Sequence, residues 1–469
     1  MAKGSAAGAA SGDPIQHVIV LALENRSFDH MLGACQAVKP EIDGIPPAGT
    51  PRSNRFEGQI YEQRDGAARI VVDDPRHETP HVLVQLRKDS TGTPNSGFVE
   101  DYATAYPMLK DDARHEVMRY HAHGALPALH ALAENFTVCD QWFSSVPGPT
   151  WTNRLFLMSG TSLGRVSMPG GLMDINLHWY DQPTIFDRLN EKQRPWAVYR
   201  GDTPLSLLLT HQWEPENLAR YKSMRDFFTD VAVREPGSFP AFAFIEPAYM
   251  EPGANDDHPS HDVLAGEALI ASVYNALRAN EPLWNTTLLV ILFDEHGGFY
   301  DHVAPPAAIP PDHHQEEYAF DRLGVRVPAL LVSPFAANAV FKQQLDHTSL
   351  LRYLIDKWQL GPLGERATQA NSFASALQGP ARTDTPLSIP AVPAQLALAT
   401  PPPRQPLNDH QTALVALSHA LESMAAEDPS VIAARSRQLL TGPQSQIDAA
   451  IERVDAFLAR NAAPAIKNV

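Results

Sequence analysis

The residues of this chain that could carry chemistry stand where apolar runs end. Leu288 to Phe293 stops at Asp294-Glu295, a glycine pair follows at Gly297-Gly298, and a second acidic-imidazole pair, Asp301-His302, comes just after. His17 to Leu23 stops in the same way, at Glu24-Asn25. Further polar groups are His77, Thr150 with Asn153-Arg154, Glu246, Asp257-His258 and His347. Several follow short apolar segments, and carboxylates at the end of a buried strand sit where open α/β sheets bind ligands. The glycine pair is expected to turn the backbone tightly and admit a ligand.

Read as chemistry, this set contains what phosphoryl transfer needs. Glu24, Asn25, Asp294 and Glu295 are hard oxygen donors of the kind that suit one hard divalent cation. Such a cation would activate a hydroxyl and stabilise charge on phosphate oxygens; a site that uses protein cations and helix dipoles instead is the alternative. Thr150 follows Pro147-Gly148-Pro149 at an expected helix start, which would set its hydroxyl beside helix N–H groups in a phosphate-binding corner. Asn153 would hydrogen-bond a phosphate oxygen. His77, His258 and His347 are candidates to protonate a leaving oxygen. Each has a plainer reading when taken alone: Thr150 as a helix cap, Asn25 as a turn residue, the histidines as structural donors. Their number and placement after strands favour a site.

The elements that must position them alternate. Strands are expected at 17–23, 138–146, 196–199, 241–245, 288–293 and 328–332. Helices are expected through 85, over 116–133 in two pieces broken at Gly124 and Pro127, after Thr150, over 266–283 and over 347–358. Strands alternating with helices through residue 360 indicate an α/β sandwich with a mostly parallel sheet. Gly33 to Ala68 is rich in turn formers and reads as an irregular excursion. Between 379 and 406 eight prolines mark a linker or a strap over the surface. Helices at 409–425 and 431–460 show no cluster of polar chemistry. The expected division is a catalytic unit over 13–365, a Pro-rich strap over 366–407 and a helical segment over 408–469.

The 469 residues carry a formal net charge of −17, from 37 basic and 54 acidic residues, which argues against nucleic acid and against a polybasic membrane patch. Two cysteines, Cys35 and Cys139, are too few for a disulfide scaffold. No run approaches the roughly 18 apolar residues that span a bilayer. The first residues are small but contain no apolar core of a signal peptide. The expectation is a soluble chain, cytoplasmic as written, or exported if a leader has been trimmed.

Four segments together resemble the signature motifs of one family: Glu24 to Gly33, Thr150 to Arg154, Asp294 to Val303 and Gly324 to Pro328. It is the phosphoesterase family of bacterial phospholipases C, plant non-specific phospholipases C and certain bacterial acid phosphatases. The resemblance spans residues 15 to about 360. It implies an alkaline-phosphatase-like α/β fold and hydrolysis through a covalent phospho-enzyme, with Thr150 as nucleophile. It maps Glu24, Asn25, Asp294 and Glu295 to the metal-binding positions, and Asp74 to His77, Glu246 and Asp257-His258 to further family segments. Arg154, Glu246, Asp257, Asp301 and His302 fall to supporting roles. Thr152 departs from the family pattern, which usually has Pro there. The implied substrate is a small-molecule or phospholipid phosphate ester, most simply a phospholipase C substrate, with a phosphomonoester as the alternative. A catalytically inactive binding module is the reading from another class; it is disfavoured because the polar residues at the strand ends are present.

Overall fold

The computed structural model describes residues 13–168, 178–250, 253–392, 406–423 and 443–464. Its centre is an eight-stranded sheet. In chain order the strands are β1 (His17–Leu23), β2 (Thr137–Cys139), β3 (Trp196–Arg200), β4 (Tyr221–Ser223), β5 (Phe242–Glu246), β6 (Thr287–Phe293), β7 (Ala329–Val332) and β8 (Val340–Phe341). In space they run β8-β2-β7-β6-β1-β5-β3-β4. Only β7 runs against its neighbours β6 and β2. The fold is thus α/β with a mostly parallel sheet, as the alternating pattern requires.

Every residue of β1 and β6 is buried, which is why both read as unbroken apolar runs rather than alternating ones. They pair in parallel from His17 opposite Thr287 to Leu23 opposite Phe293, and β5 pairs with the other side of β1. Parallel registry brings Glu24, Glu246 and Asp294 out at one edge of the sheet. Antiparallel β7 begins at that same edge, where Phe293 N–H donates to Pro328 O at 3.1 Å. The Gly324–Pro328 segment therefore arrives beside the carboxylates.

The longer helices are α1 (Thr79–Gln85), α2 (Phe98–Ala105), α3 (Pro127–Asn135), α4 (Thr150–Ser159), α5 (Met224–Val233), α6 (Val263–Ala279), α7 (His347–Trp358), α8 (Asp409–Ser423) and α9 (Pro443–Asn461). Helix α4 packs with α7, while α3 and α5 pack with α6. None of the described helices is long and apolar enough to cross a membrane.

Three expectations need correction or refinement. The helix expected over 116–133 exists only as α3; residues 115–118 form a 3-10 turn and 119–120 a short strand, because Gly124 and Pro127 separate them from the helical part. The excursion over 33–68 contains an antiparallel hairpin, Ser53–Phe56 with Gln59–Glu62. Residues 386–389 of the proline-rich stretch lie against α6: Asn275 bonds Ile389 twice, and Tyr274 Oη donates to Pro386 O at 2.6 Å. Residues 393–405 of that stretch, and 431–442 of the expected last helix, lie outside the described residues. The two C-terminal helices do not stand apart. Leu414, Leu417 and Leu421 of α8 and Ile447 and Val454 of α9 belong to the same apolar core as the sheet.

Candidate active site

Thr150 is the first residue of α4 and is fully buried. Its hydroxyl donates to Asn25 Oδ1 at 3.1 Å, so the oxygen is oriented by the turn that follows β1. Asn25 holds a left-handed backbone, φ 59°, where an Asn is among the residues best tolerated. The glycine pair explains how that turn fits. A side chain on Gly297 would meet Asn25 O at 2.1 Å, and one on Gly298 would meet Arg76 O at 2.8 Å. The pair thus admits two neighbouring backbone segments, where the sequence suggested a ligand.

Asn153 sits one turn beyond Thr150, but it does not face a ligand. Its Oδ1 accepts from Val146 N at 3.0 Å, and its Nδ2 donates to Gly148 O at 2.9 Å and to Val146 O at 3.2 Å. It ties down the Val146 to Pro149 loop that leads into α4. Thr152 itself makes only a long bond, 3.4 Å, to Arg165 O.

Arg154 joins the two halves of the sheet edge. Its Nε donates to Asp294 Oδ2 at 3.1 Å and its Nη2 to Glu24 Oε1 at 3.1 Å, all three side chains being fully buried. Asp294 Oδ1 also accepts from the backbone N–H of Glu295 at 2.7 Å and Asn25 at 3.2 Å. Even so, burial pushes the Glu24 carboxyl up to about 8 and that of Asp294 up to about 7, with Arg154 opposing both shifts. Glu24 and Glu295 each add to the shift of Asp294, as neighbouring carboxylates do.

Glu24 Oε2 and Glu295 Oε1 are buried oxygens with no hydrogen-bond partner. Glu24 Oε2 lies 2.9 Å from Nδ1 of His410, whose ring nitrogens also lack hydrogen bonds. Burial first, then the charge of His258, lower His410 to about 3, so its imidazole is neutral and can act as a ligand. Two buried carboxylate oxygens without hydrogen bonds are donors of the kind a divalent cation takes.

The histidines separate into two kinds. His77 and His258 converge on Asp409: His77 Nε2 is 2.9 Å from Oδ2, and His258 Nε2 is 3.2 Å from Oδ1. Their Nδ1 atoms bond the carbonyls of Pro75 (3.0 Å) and Pro259 (2.9 Å), and His77 Nε2 also lies 3.4 Å from the Asn25 amide. Burial alone would lower both imidazoles. The carboxylates of Asp409 and Glu295 nonetheless hold His77 well above its ordinary value, and those of Asp74 and Asp409 raise His258 to about 10. Burial would raise Asp409, yet the two imidazoles keep it well below the carboxylate range. The donor atoms of this triple lie within 4.8 Å of one another. His347 differs. Its Nε2 donates to Asp294 O at 2.6 Å and its Nδ1 accepts from Trp142 Nε1 at 3.3 Å, while burial lowers it to about 4. Burial thus holds His347 neutral, opposite to His77 and His258, and it braces the Asp294 backbone.

The remaining expected residues are scaffolding. Glu246 accepts from Leu205 N (2.8 Å), Ser206 N (3.2 Å) and Ser206 Oγ (2.5 Å), anchoring the loop beyond β3. Asp257 adopts φ 75°, and its carbonyl accepts from Arg26 Nε at 2.8 Å, which sets the backbone leading to His258. Asp301 and His302 belong to a separate network. Arg326 donates to Asp301 (3.2 Å) and Asp29 (3.0 Å), and His302 bridges Asp29 (2.9 Å) and Asp43 (3.0 Å). Arg326 already supplies a cation there, so this triple of acidic and imidazole groups is a strut between motifs.

Asn408, Asp409, His410 and Gln411 are the residues that sequence reasoning missed. All are brought to the site by the start of α8, Asn408 Nδ2 lying 3.3 Å from His258 Nδ1 and Gln411 Nε2 3.2 Å from His261 Nε2. The available signal was the string Asn-Asp-His-Gln before an apolar helix, which alone reads as a cap.

Comparison with known proteins shows the family to which the chain belongs. The model of the Phosphoesterase family matches residues 15–361. Non-specific phospholipase C6 of Arabidopsis thaliana is 36% identical over 438 residues, covering 87% of this chain and 81% of that protein. Phospholipase C A of Mycobacterium tuberculosis is 26% identical over 427 residues, covering 77% and 78%. Among solved structures, a protein in the alkaline phosphatase superfamily from Vibrio parahaemolyticus aligns with a TM-score of 0.33 and 10% identity, covering 53% of this chain and 65% of that one. With its motifs converging on one edge of the sheet and the family model spanning all of them, the chain belongs to the phosphoesterase family and is a phosphoric ester hydrolase.

Proposed function

We propose that the protein cleaves phosphodiesters in the manner of a phospholipase C, through a phospho-Thr150 intermediate. The observation that carries this is the hydroxyl of Thr150 at the start of α4, held by Asn25, whose amide lies 3.4 Å from His77, one of two imidazoles that share Asp409. Thr150 loses its hydroxyl proton to solvent as Oγ forms the bond to phosphorus and the bond to the leaving alkoxide breaks. His258 or His77 gives its Nε2 proton to that oxygen, and the N–H groups at the start of α4 are the donors nearest the phosphate in this reading. Water then displaces Thr150 from phosphorus, one of its protons going to Thr150 Oγ and the other staying on the phosphate, and the imidazole regains a proton from solvent.

Glu24, Asn25, Asp294 and Glu295 would hold a divalent cation, with His410 added to the set expected from sequence. Such an ion supplies charge stabilisation for phosphate oxygens. Arg154 keeps Glu24 and Asp294 apart and oriented, Asn153 fixes the loop before the nucleophile, and Asp409 holds the two imidazoles charged. The names of the similar proteins support a phospholipid substrate, against the phosphomonoester alternative. The test is turnover of phosphatidylcholine beside an aryl phosphomonoester by wild type and Thr150→Ala. Faster diester turnover and loss of at least a thousandfold in the variant support the reading. More than a few per cent residual activity would overturn the nucleophile assignment, and preference for the monoester would overturn the substrate class.

A further inference from the structure

Three residues after His258 stands a histidine that the reaction does not use. His261 is buried, and both of its ring nitrogens are engaged. Nδ1 lies 2.6 Å from Asp256 Oδ1, and Nε2 lies 3.2 Å from Nε2 of Gln411, 150 residues away in the chain. Buried polar groups are ordinarily satisfied in this way. What distinguishes His261 is what its two partners hold. The Asp256 carbonyl accepts from Glu24 N at 2.7 Å, and its Oδ1 accepts from His258 N at 3.2 Å. His261 N returns to His258 O at 2.9 Å and closes the turn.

Gln411 is the clasp of the α8 start. Its Oε1 accepts from Asn408 N at 3.3 Å, its N–H donates to Asn408 Oδ1 at 2.7 Å, and its Nε2 donates to Tyr249 O at 3.0 Å. Asp409 and His410 lie between these two residues, and His410 stacks on the Tyr249 ring with centroids 4.7 Å apart. The bonds assign each atom its role. Asn408 N–H needs an acceptor and Tyr249 O a donor, so the Gln411 amide turns Nε2 toward His261. A donor there calls for a bare Nε2 on the imidazole, and the Asp256 carboxylate calls for N–H on Nδ1. A neutral imidazole is the side chain that offers a donor and an acceptor on opposite edges of one rigid ring.

We propose that His261 is a positioning residue for the reaction. It seats the start of α8 on the loop that carries His258, and so sets Asp409 between the two imidazoles and His410 against Glu24. This rests on the reading above, in which those groups serve the reaction.

The experiment compares wild type with His261→Phe, which keeps a ring and loses both bonds, and with His261→Asn. The asparagine keeps a donor toward Asp256, which protects the fold, but is too short to meet Gln411. Hydrogen–deuterium exchange over residues 408–414 is measured beside turnover of an aryl phosphodiester. Both variants are expected to exchange these amides about fivefold faster while β1 and β6 stay unchanged. Both are expected to lower the turnover number about tenfold or more with KM little changed. Because His261 acts through the α8 start, its loss combined with that of Asp409→Asn should fall short of the product of the single losses by about threefold or more. Unchanged exchange over 408–414, wild-type turnover in His261→Asn, or losses that multiply in full would overturn the proposal. Diester turnover that survives Thr150→Ala would overturn the proposed reaction instead, and exchange over 408–414 then still decides whether His261 seats the helix.

Discussion

Asp409 and His77 meet at 2.9 Å although 332 residues separate them in the chain, and the same carboxylate reaches His258 at 3.2 Å. Removing that carboxylate removes the main opponent of burial for His77 and, beside Asp74, one of the two for His258. Asp409→Asn is expected to lower the turnover number by about 10- to 100-fold, in line with the loss of a general-acid contribution. The basic limb of the rate profile, set in wild type by groups such as His258 at about 10, should move down in pH. Turnover measured from pH 5 to 10.5 checks both; an unmoved limb would remove Asp409 from the proton-donating unit.

Arg154 is expected to be the least replaceable residue of the site for stability. Arg154→Met leaves Glu24 and Asp294 buried without their shared cation. Breaking such a buried pair costs about 3–5 kcal/mol. Urea unfolding at pH 7 measures it, and a loss under about 1 kcal/mol would show that another cation already balances the pair.

The Arg326 strut makes stability depend on pH away from the reaction. Burial opposes it, but Asp29 raises His302 to about 9, while His302 and Arg326 hold Asp29 below the carboxylate range. A raised imidazole contributes stability that is fully present below its unfolded value, about 6.5, and is lost as pH rises through about 9. The depressed Asp29 contributes above its unfolded value, about 3.8, and loses that contribution as pH falls below it. Melting temperature should decline between pH 7 and 9.5, and His302→Gln should flatten the decline. Parallel curves for the two proteins would contradict the assignment.

Asn153 should matter through the loop it holds. Asn153→Ala removes bonds to Val146 and Gly148 beside Thr150. Each lost bond in a buried setting costs about 0.5–1.5 kcal/mol. A misplaced nucleophile lowers the turnover number, here by an expected tenfold or more with KM little changed. A raised KM with unchanged turnover would instead indicate direct contact with substrate.

The purified protein is expected to carry about one divalent cation per chain by elemental analysis, reduced by prolonged chelation. Glu295→Gln should lower occupancy, and so should His410→Ala, although the family motifs give no hint of the histidine. Full occupancy in both variants would place the ion elsewhere.

Much of this was legible in the chain. Buried parallel strands are apolar throughout, so β1 and β6 declared themselves, and the polar residues ending them marked the sheet edge. Motif spacing was enough to single out Thr150, Glu24, Asn25, Asp294 and Glu295, because each lies within a few residues of its own strand or helix end. What sequence could not decide was which groups meet and which are already satisfied. Asn153 and His347 carry the right chemistry, yet local hydrogen bonds engage the one and burial holds the other neutral, and both are properties of three-dimensional neighbours. Asp301-His302 fell to a supporting role by resemblance, but what it supports appears only in the fold, which pairs it with Arg326 and Asp29. Asn408 to Gln411 lay beyond a proline-rich strap and looked like an ordinary helix start. Only the burial of α8 in the common core swings Asp409 between His77 and His258 and sets His410 against Glu24.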